Sequence, residues 1–393
     1  MDLEAFRWLL SEPGQALLAR AHEVYGDQSG ELLRTTTVLR REAADVDPAR
    51  VTAAVTQAQL RHRAEAKFGE QAARMYFTPD GLEQATRLRV AEHRAARLAA
   101  AAPSSVLDLG CGIGGDLVAF ARAGLTVAGI DRDPLRVEVA RANLAALGLG
   151  GAVQQASAED LDLSGFGVVF ADPARRTGAG RVFDAEGWSP PWPFVERLLT
   201  RAAVVKVAPG IPHDLVPAGV EAEWVSDGGE VKEAVLWSSY LATTRRRATV
   251  IRGGGLATLT DEDDPGEQNV REVGRFLYEP DGAVIRSGLV TAVAAGVHGG
   301  LVDEHIAYVT SDESFRTPFA RSYEVLDELP FKEKALKAAL RERGIGPLTI
   351  KKRGVDVVPE DLRKRLSLGG EQEATLVLTR VAGRGTALLV RPF

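Results

Sequence analysis

Short apolar runs and amphipathic stretches alternate through the middle of the chain. Val106, Leu107 and Leu109 make a run of strand length, Asp116 to Ala123 reads as a helix, and Leu125 to Ile130 is apolar again. A helix from Pro134 to Leu147 and strands at Ala152 to Gln155, Gly167 to Ala171 and Ala202 to Val207 continue the alternation. Strands interleaved with helices predict an α/β fold with a doubly wound parallel sheet. Glu221 to Val225 and Ala234 to Leu241, joined through Asp227-Gly228-Gly229, are expected to finish a seven-stranded sheet as a hairpin. Ahead of the sheet, Leu3 to Val24 and Val51 to Phe68 carry apolar residues at helical spacing, with the polar loop Asp45 to Pro48 between them. Thr78, Pro79 and Asp80 are a helix-start signal, and a helix is expected from about Gly81 to Ala102.

Beyond Thr244 the pattern becomes mixed. Arg252-Gly253-Gly254-Gly255 and the acidic segment Asp261 to Glu267 read as linker or loop. An amphipathic stretch runs from Ala283 to Ala295, then strands at Ile306 to Thr310, Tyr323 to Leu326 and Leu348 to Ile350 around a helix from Lys332 to Glu342. Thr375 to Arg380 and Ala387 to Arg391 read as a terminal hairpin. The expectation is a helical region over 1–74, a sheet domain over 75–244, a small α+β module over 245–330 and a final domain over 331–393.

Composition narrows the classes. A chain of 393 residues, 45% hydrophobic and 26% charged, is that of a soluble globular protein with more than one domain. No stretch approaches a membrane span, and Asp2 and Glu4 stand where a signal peptide needs basic residues. The single cysteine, Cys111, leaves no internal disulfide and no cysteine-built metal site, so a cytoplasmic protein without a metal is expected. Cys111 itself reads as a small apolar spacer rather than a nucleophile. Net charge is −6, against a uniformly basic nucleic-acid binder, yet residues 331–393 carry +7 and residues 1–330 carry −13. A basic end on an acidic body points to a polyanion contact.

The chemistry centres on Ser105 to Asp133. Gly110, Gly112, Gly114 and Gly115 come after the first strand and supply a turn whose backbone a ligand can approach closely, before a helix whose free amides face it. Asp131 ends the second strand, 21 residues after Gly110, in reach of a ribose. Gly110, Gly112 and Gly115 fit the dinucleotide spacing G-x-G-x-x-G, so a nicotinamide dinucleotide stays an alternative. Asp108 tips the choice, because a carboxylate there suits an amino-acid ammonium and repels a pyrophosphate. The segment therefore resembles the first motif of class I S-adenosylmethionine (SAM) methyltransferases, with Asp131 taking the ribose hydroxyls. That resemblance implies an adenine contact at Ser157, Ala158 and Glu159, and a covering segment that offers Phe77 and Thr78 to the cofactor.

Methyl transfer needs an acceptor held beside the cofactor, at the end of the fourth strand. FADPARR stands there. Methyltransferases of base amines often carry Asn or Asp, Pro, Pro and an aromatic at this place; Asp172 and Pro173 match, whereas Ala174 and Arg175 depart. Asp172, Pro173 and Arg175 are thus the candidate catalytic residues. Arg175 and Arg176 are suited to phosphate or to stacking on a base, and Phe183, Trp188 and Trp192 to a stacking surface. Lys206, inside an apolar strand, requires a partner: an acid at the strand ends, or substrate.

The segments MYFTPDGLEQAT, VLDLGCGIGGD, FADPARR, VKVAPG, GGEVKEAVLW, YEPDGAVIRSGLV and KKRGVDVVPEDLRK together resemble the bacterial class I SAM-dependent methyltransferases with a C-terminal THUMP-like domain, with a distant likeness to trimethylguanosine synthase. The resemblance implies a helical N-terminal region, a Rossmann-like core, a ferredoxin-like piece, a THUMP-like end and an RNA partner. Lys351, Lys352 and Arg353, with Arg363-Lys364-Arg365, are expected to form one basic patch for a phosphate backbone, against the alternative of a solvated surface. The expected activity is SAM-dependent methylation of a base in structured RNA, tRNA or rRNA. Methylation of a small molecule or protein, and RNA binding by a silent methyltransferase fold, are the alternatives; the sequence leaves the oligomeric state open.

Overall fold

The computed structural model describes residues 1–27, 31–175, 188, 189, 191–253, 255–267 and 269–393. The chain divides into two compact units, Met1–Val220 with Val235–Ala242, and Glu221–Ala234 with Thr243–Phe393.

The first unit opens with α1 (Leu3–Leu9), α2 (Glu12–Asp27), α3 (Leu32–Glu42) and α4 (Pro48–Phe68). The single helix expected from Leu3 to Val24 breaks at Ser11, whose hydroxyl donates to Trp8 O at 2.6 Å and closes the first helix. Helix α3 was hidden in the sequence by Thr35-Thr36-Thr37, β-branched residues that disfavour helix. Here their hydroxyls donate to the carbonyls of Glu31, Leu32 and Leu33. Phe6, Leu9, Leu18, Val55 and Phe68 share one apolar cluster with Phe77, Ile113 and Val139, so the helical region 1–74 and the sheet domain are built on a common core.

The helix expected over Gly81 to Ala102 is two, α5 (Pro79–Gln84) and α6 (Leu88–Ala100). Lys67 Nζ ends the first by donating to the carbonyls of Leu82 (2.7 Å), Glu83 (2.7 Å) and Ala85 (3.0 Å). Then come β1 (Val106–Leu109), α7 (Gly115–Arg122), β2 (Val127–Asp131), α8 (Pro134–Ala146), β3 (Ala152–Gln155), β4 (Val168–Ala171), β5 (Ala174–Arg175), β6 (Trp188–Ser189), α9 (Trp192–Leu199) and β7 (Ala203–Val207). The parallel part of the sheet in this unit runs β7-β4-β1-β2-β3, with Asp108 opposite Gly129 on one side and Phe170 on the other. β5 and β6 form a separate short ladder. Among the described residues no helix is long and apolar enough to cross a membrane.

The second unit holds β8 (Glu221–Asp227) and the start of β9 (Glu230–Trp237), the hairpin expected through Gly228 and Gly229, whose φ values are +64° and +87°. The end of β9 belongs to the first unit, where Ser238 N donates to Ala203 O at 3.0 Å. The ends of the expected linker instead lie in strands, Arg252 pairing with Gly255. β10 (Arg246–Arg252) lies parallel to β8, and β11 (Gly255–Thr260) returns antiparallel along β10, with Arg252 opposite Gly255. Asp261 accepts from the amides of Arg245 (3.0 Å) and Arg246 (2.9 Å), which gives part of the acidic segment a structural task.

After these come β12 (Phe276–Pro280), α10 (Gly282–Ser287), α11 (Val290–Gly296), β13 (Gly300–Asp303), β14 (Ile306–Ser311), β15 (Ala320–Leu329), α12 (Glu333–Glu342), β16 (Ile345–Lys352), α13 (Pro359–Leu366), β17 (Gln372–Val381) and β18 (Arg384–Pro392). They build one sheet ordered β13-β14-β12-β15-β18-β17-β16. The boundary expected between 330 and 331 thus falls inside a single sheet, because β18 pairs with β15 across it. Leu336, Leu340, Leu362 and Leu366 from α12 and α13 share a core with Ile345, Leu348 and Ile350 of β16.

Candidate active site

The parallel strands of the first unit end in a crevice, as open α/β sheets do at the carboxyl edge. β1 delivers Asp108 and then turns through glycines with left-handed backbone, φ +83° at Gly110, +55° at Gly112 and +80° at Gly114. The amides of Gly110 and Cys111 both donate to Ile130 O at 2.8 Å, locking the turn to the end of β2. The glycines have different tasks. A Cβ at Gly110 or Gly112 would meet nothing within 4 Å, so open space lies beside them, whereas at Gly114 it would press on Ala140 at 3.2 Å. The first two leave a cradle and the third packs against α8.

Asp131 is held at both oxygens, accepting from Gly112 N at 3.0 Å and Asp133 N at 2.9 Å, and is only 7% exposed. Asp108 is 2% exposed. Burial pushes its carboxyl well above the usual range, and Asp116, Asp172 and Asp131 push the same way against the opposing pull of Arg94. Burial, with Asp108 and Asp131 nearby, likewise raises the Cys111 thiol, so it stays protonated and acts as an apolar spacer.

Two cations offset this acidity. Arg94, buried on α6, pairs with Asp116, which also accepts from Thr86 Oγ1 at 2.9 Å, and its guanidinium lies 4.9 Å from the Phe170 ring centroid. Lys206 Nζ lies 2.6 Å from Asp172 Oδ2 and 3.2 Å from Thr86 Oγ1. The partner that Lys206 required is therefore an acid at a strand end, and that acid is Asp172 of the DPARR segment.

The segment Met75 to Thr78 is tied beside the glycine turn by two residues that the sequence pattern alone did not single out. Asn143 donates to Tyr76 O (3.0 Å) and Ile113 O (2.8 Å) and accepts from Tyr76 N (2.7 Å). Gln57 accepts from Phe77 N at 3.0 Å and donates back to Phe77 O. Both sit on otherwise apolar stripes of α8 and α4, and Arg94 does the same on α6, between Ala91 and Leu98. A polar residue at a core-facing helical position is the signal that could have found all three. Thr78 caps α5, accepting from Gly81 N at 3.0 Å, and a Cβ at Gly81 would collide with Ile113.

The remaining candidates are less convergent. Ser157 and Glu159 come after β3, Ala158 begins a turn between them, and Arg132 donates to Ser157 Oγ at 3.0 Å and pairs with Glu159. The backbones of Arg175 and Trp188 pair across the β5–β6 ladder, while Arg176 and Phe183 lie outside the described residues. Trp192 is not on an open loop: it begins α9 and is 8% exposed, so its ring belongs to packing.

Four of the six cations of the expected C-terminal patch have intramolecular partners. Lys351 pairs with Glu279 at 2.6 Å, Arg353 stacks 5.2 Å from the Tyr308 ring and donates to Ala307 O, Arg363 donates to Leu348 O, and Arg365 pairs with Glu333. Lys352 and Lys364 are left as exposed cations. Intramolecular partners use up most of the run.

A parallel sheet with an open left-handed glycine turn after its first strand, carboxylates at Asp108 and Asp131 flanking that turn, and helices on either side defines a class I SAM-dependent methyltransferase. Residues 106–174 match the methyltransferase domain family, 320–392 the family described as THUMP domain-like, and 2–64 a domain family of unknown function. The uncharacterized S-adenosylmethionine-dependent methyltransferase of Mycobacterium tuberculosis, Rv3037c in strain H37Rv and MT3122 in strain CDC 1551, is 37% identical over 348 residues, 85% of this chain and 95% of its own. The crystal structure of a Porphyromonas gingivalis W83 protein described as a methyltransferase shares the fold at TM-score 0.75 and 21% identity, over 96% of this chain and 98% of that one. The chain belongs to the SAM-dependent methyltransferases that carry a THUMP-like domain, and SAM is its cofactor. The open space at Gly110 and Gly112, with the buried carboxylates of Asp108 and Asp131 beside it, fits that group.

Proposed function

We propose that this methyltransferase acts on a base in structured RNA, tRNA or rRNA, in the cytoplasm. In this reading Asp108 pairs with the SAM ammonium, Gly110 and Gly112 admit the methionine portion, and Asp131 receives the ribose hydroxyls. Thr78 and the Ser157 to Glu159 turn border the adenosine end. Bound SAM supplies an electrophilic methyl group. The chain's own part is to hold an acceptor in line and take its proton, and Asp172 and Pro173 are the residues offered for this. Lys206 fixes the Asp172 carboxylate, so the acid is pre-oriented before any acceptor arrives. Arg175 and Arg176 serve an incoming phosphate or base.

The observation that carries the cofactor assignment is the open turn flanked by Asp108 and Asp131. RNA as the acceptor rests on the THUMP-like match over 320–392. Radiolabelled SAM with total RNA, a protein extract and a metabolite extract tests the choice. Label in RNA, with mass spectrometry of its nucleosides to locate it, is the expected result. Label only in protein or small molecules refutes RNA, and SAM binding with no labelled product identifies a silent fold.

A further inference from the structure

The dispersed basic run has a counterpart that the linear sequence did not announce. In the second unit, a cleft of about 590 Å³ is lined by Arg252, Arg316, Arg321 and Lys351, with the rings of Tyr323 and Phe393 in its wall. Among the described residues no acidic side chain lines it. Four separate segments supply the cations, from the end of β10, the loop before β15, β15 itself and β16. Thr317, Ser322 and Thr375 add hydroxyls, so hydrogen-bond donors of two kinds converge on one space.

The cations divide into two kinds. Arg252 lies 3.4 Å from Asp281, and Lys351 lies 2.6 Å from Glu279, which also accepts from Tyr323 Oη at 3.0 Å. These acids, outside the lining, hold the two cations in place. Arg316 and Arg321 are exposed; Arg321 also hydrogen-bonds the Tyr323 hydroxyl and lies against the turn at Gly229, where a Cβ would meet its Nη2 at 3.1 Å. Four cations against two acids leave the cleft net positive. Planar guanidinium forks with hydroxyls between them match the several acceptor oxygens of a phosphate better than the two of a carboxylate. The volume exceeds that of a bare phosphate and suits a nucleotide-sized ligand.

We propose that this cleft binds a phosphate ester, with Arg316 and Arg321 closing on the phosphoryl oxygens and Phe393 beside the attached group. The ester is carried either in an RNA chain or on a free nucleotide. The site is independent of the SAM crevice, and it differs from the expected basic patch by recruiting Arg252, Arg316 and Arg321 and by excluding Lys352 and Arg353.

The test uses the full-length protein, a fluorescein-labelled 12-nucleotide oligouridylate, adenosine monophosphate and adenosine, with anisotropy and calorimetry as readouts. The doubly substituted Arg316→Glu/Arg321→Glu protein is expected to bind the oligonucleotide at least about tenfold more weakly, with a salt slope reduced by about 1 to 2, as loss of two phosphate contacts requires. With the SAM crevice saturated by S-adenosylhomocysteine in every titration of these small ligands, adenosine monophosphate is expected to bind the unaltered protein and adenosine not. An oligonucleotide that binds assigns the ester to an RNA chain; binding of the monophosphate alone assigns it to a free nucleotide. SAM affinity should be the same in both proteins, so this result is read separately from the methyltransfer assay. A Lys352→Glu/Lys364→Glu control, which reverses exposed charges outside the cleft, should change binding by no more than about twofold. Equal weakening in that control, equal binding by adenosine, or no effect of the Arg316/Arg321 reversal overturns the proposal.

Discussion

The crevice of the first unit and the cleft of the second gather charge in opposite ways. In the crevice Asp108, Asp116 and Asp131 are nearly inaccessible, and Arg94 and Lys206 are recruited to hold acids in place. In the cleft the exposed Arg316 and Arg321 face solvent, and acids steady the other two cations. Charges removed from water interact strongly and are costly to leave unpaired, while exposed ones are screened by salt. The first arrangement selects a small ligand by fixed geometry. The second captures charge and yields it again as ionic strength rises.

Substitutions that exchange the two behaviours put the contrast at risk. The largest effect is expected for Arg94→Ala, which strands the Asp116 carboxylate in the interior and costs about 3 to 5 kcal/mol of stability. Thermal or denaturant unfolding reads it, and a change under about 1 kcal/mol would break the contrast. Next is Asp131→Ala. Loss of hydrogen bonds to a charged group, about 1.5 to 3 kcal/mol, weakens SAM binding roughly 10- to 150-fold by calorimetry. Unchanged affinity would remove Asp131 from the ribose assignment.

Asp108→Asn sharpens the comparison, because it should move stability and binding in opposite directions. The folded state raises the Asp108 pKa, so its contribution is fully present below the unfolded carboxylate value and is lost as pH rises through the folded one. Removing the charge should therefore raise the melting temperature of the SAM-free protein near neutral pH while weakening SAM. In the unaltered protein SAM affinity should fall as pH drops through that raised pKa, above the ordinary carboxylate range. A Tm decrease in the Asn variant contradicts this expectation. The smallest effect is expected for Lys67→Met, which frees three carbonyls at the end of α5 and costs about 1 to 3 kcal/mol, with the melting temperature as readout.

The same contrast explains what the sequence disclosed. Asp108, the glycine turn and Asp131 lie within one short segment, where apolar strands and backbone demands leave a local imprint, and the parallel sheet was legible from the alternation around them. Arg94, Asn143 and Gln57 were hidden because each is one polar residue on an apolar helical stripe, and its partner comes from another element. Linear charge counting did not disclose the partners that basic residues have in the second unit. Lys351, Arg353, Arg363 and Arg365 are close in the chain, yet Glu279, Tyr308, Leu348 and Glu333 engage them one by one. The cations that do converge come from residues 252, 316, 321 and 351, whose proximity depends on sheet order. The strand pairing of Arg252 with Gly255 was hidden too, since glycine-rich composition does not tell a hairpin from a linker.

Electron density from crystals of the full-length protein soaked with S-adenosylhomocysteine tests the central claim most directly. The amino-acid end is expected over Gly110 and Gly112 with its ammonium toward Asp108, and the ribose hydroxyls against Asp131. Density for the compound anywhere else, or with ribose and amino-acid ends exchanged, would contradict the assignment.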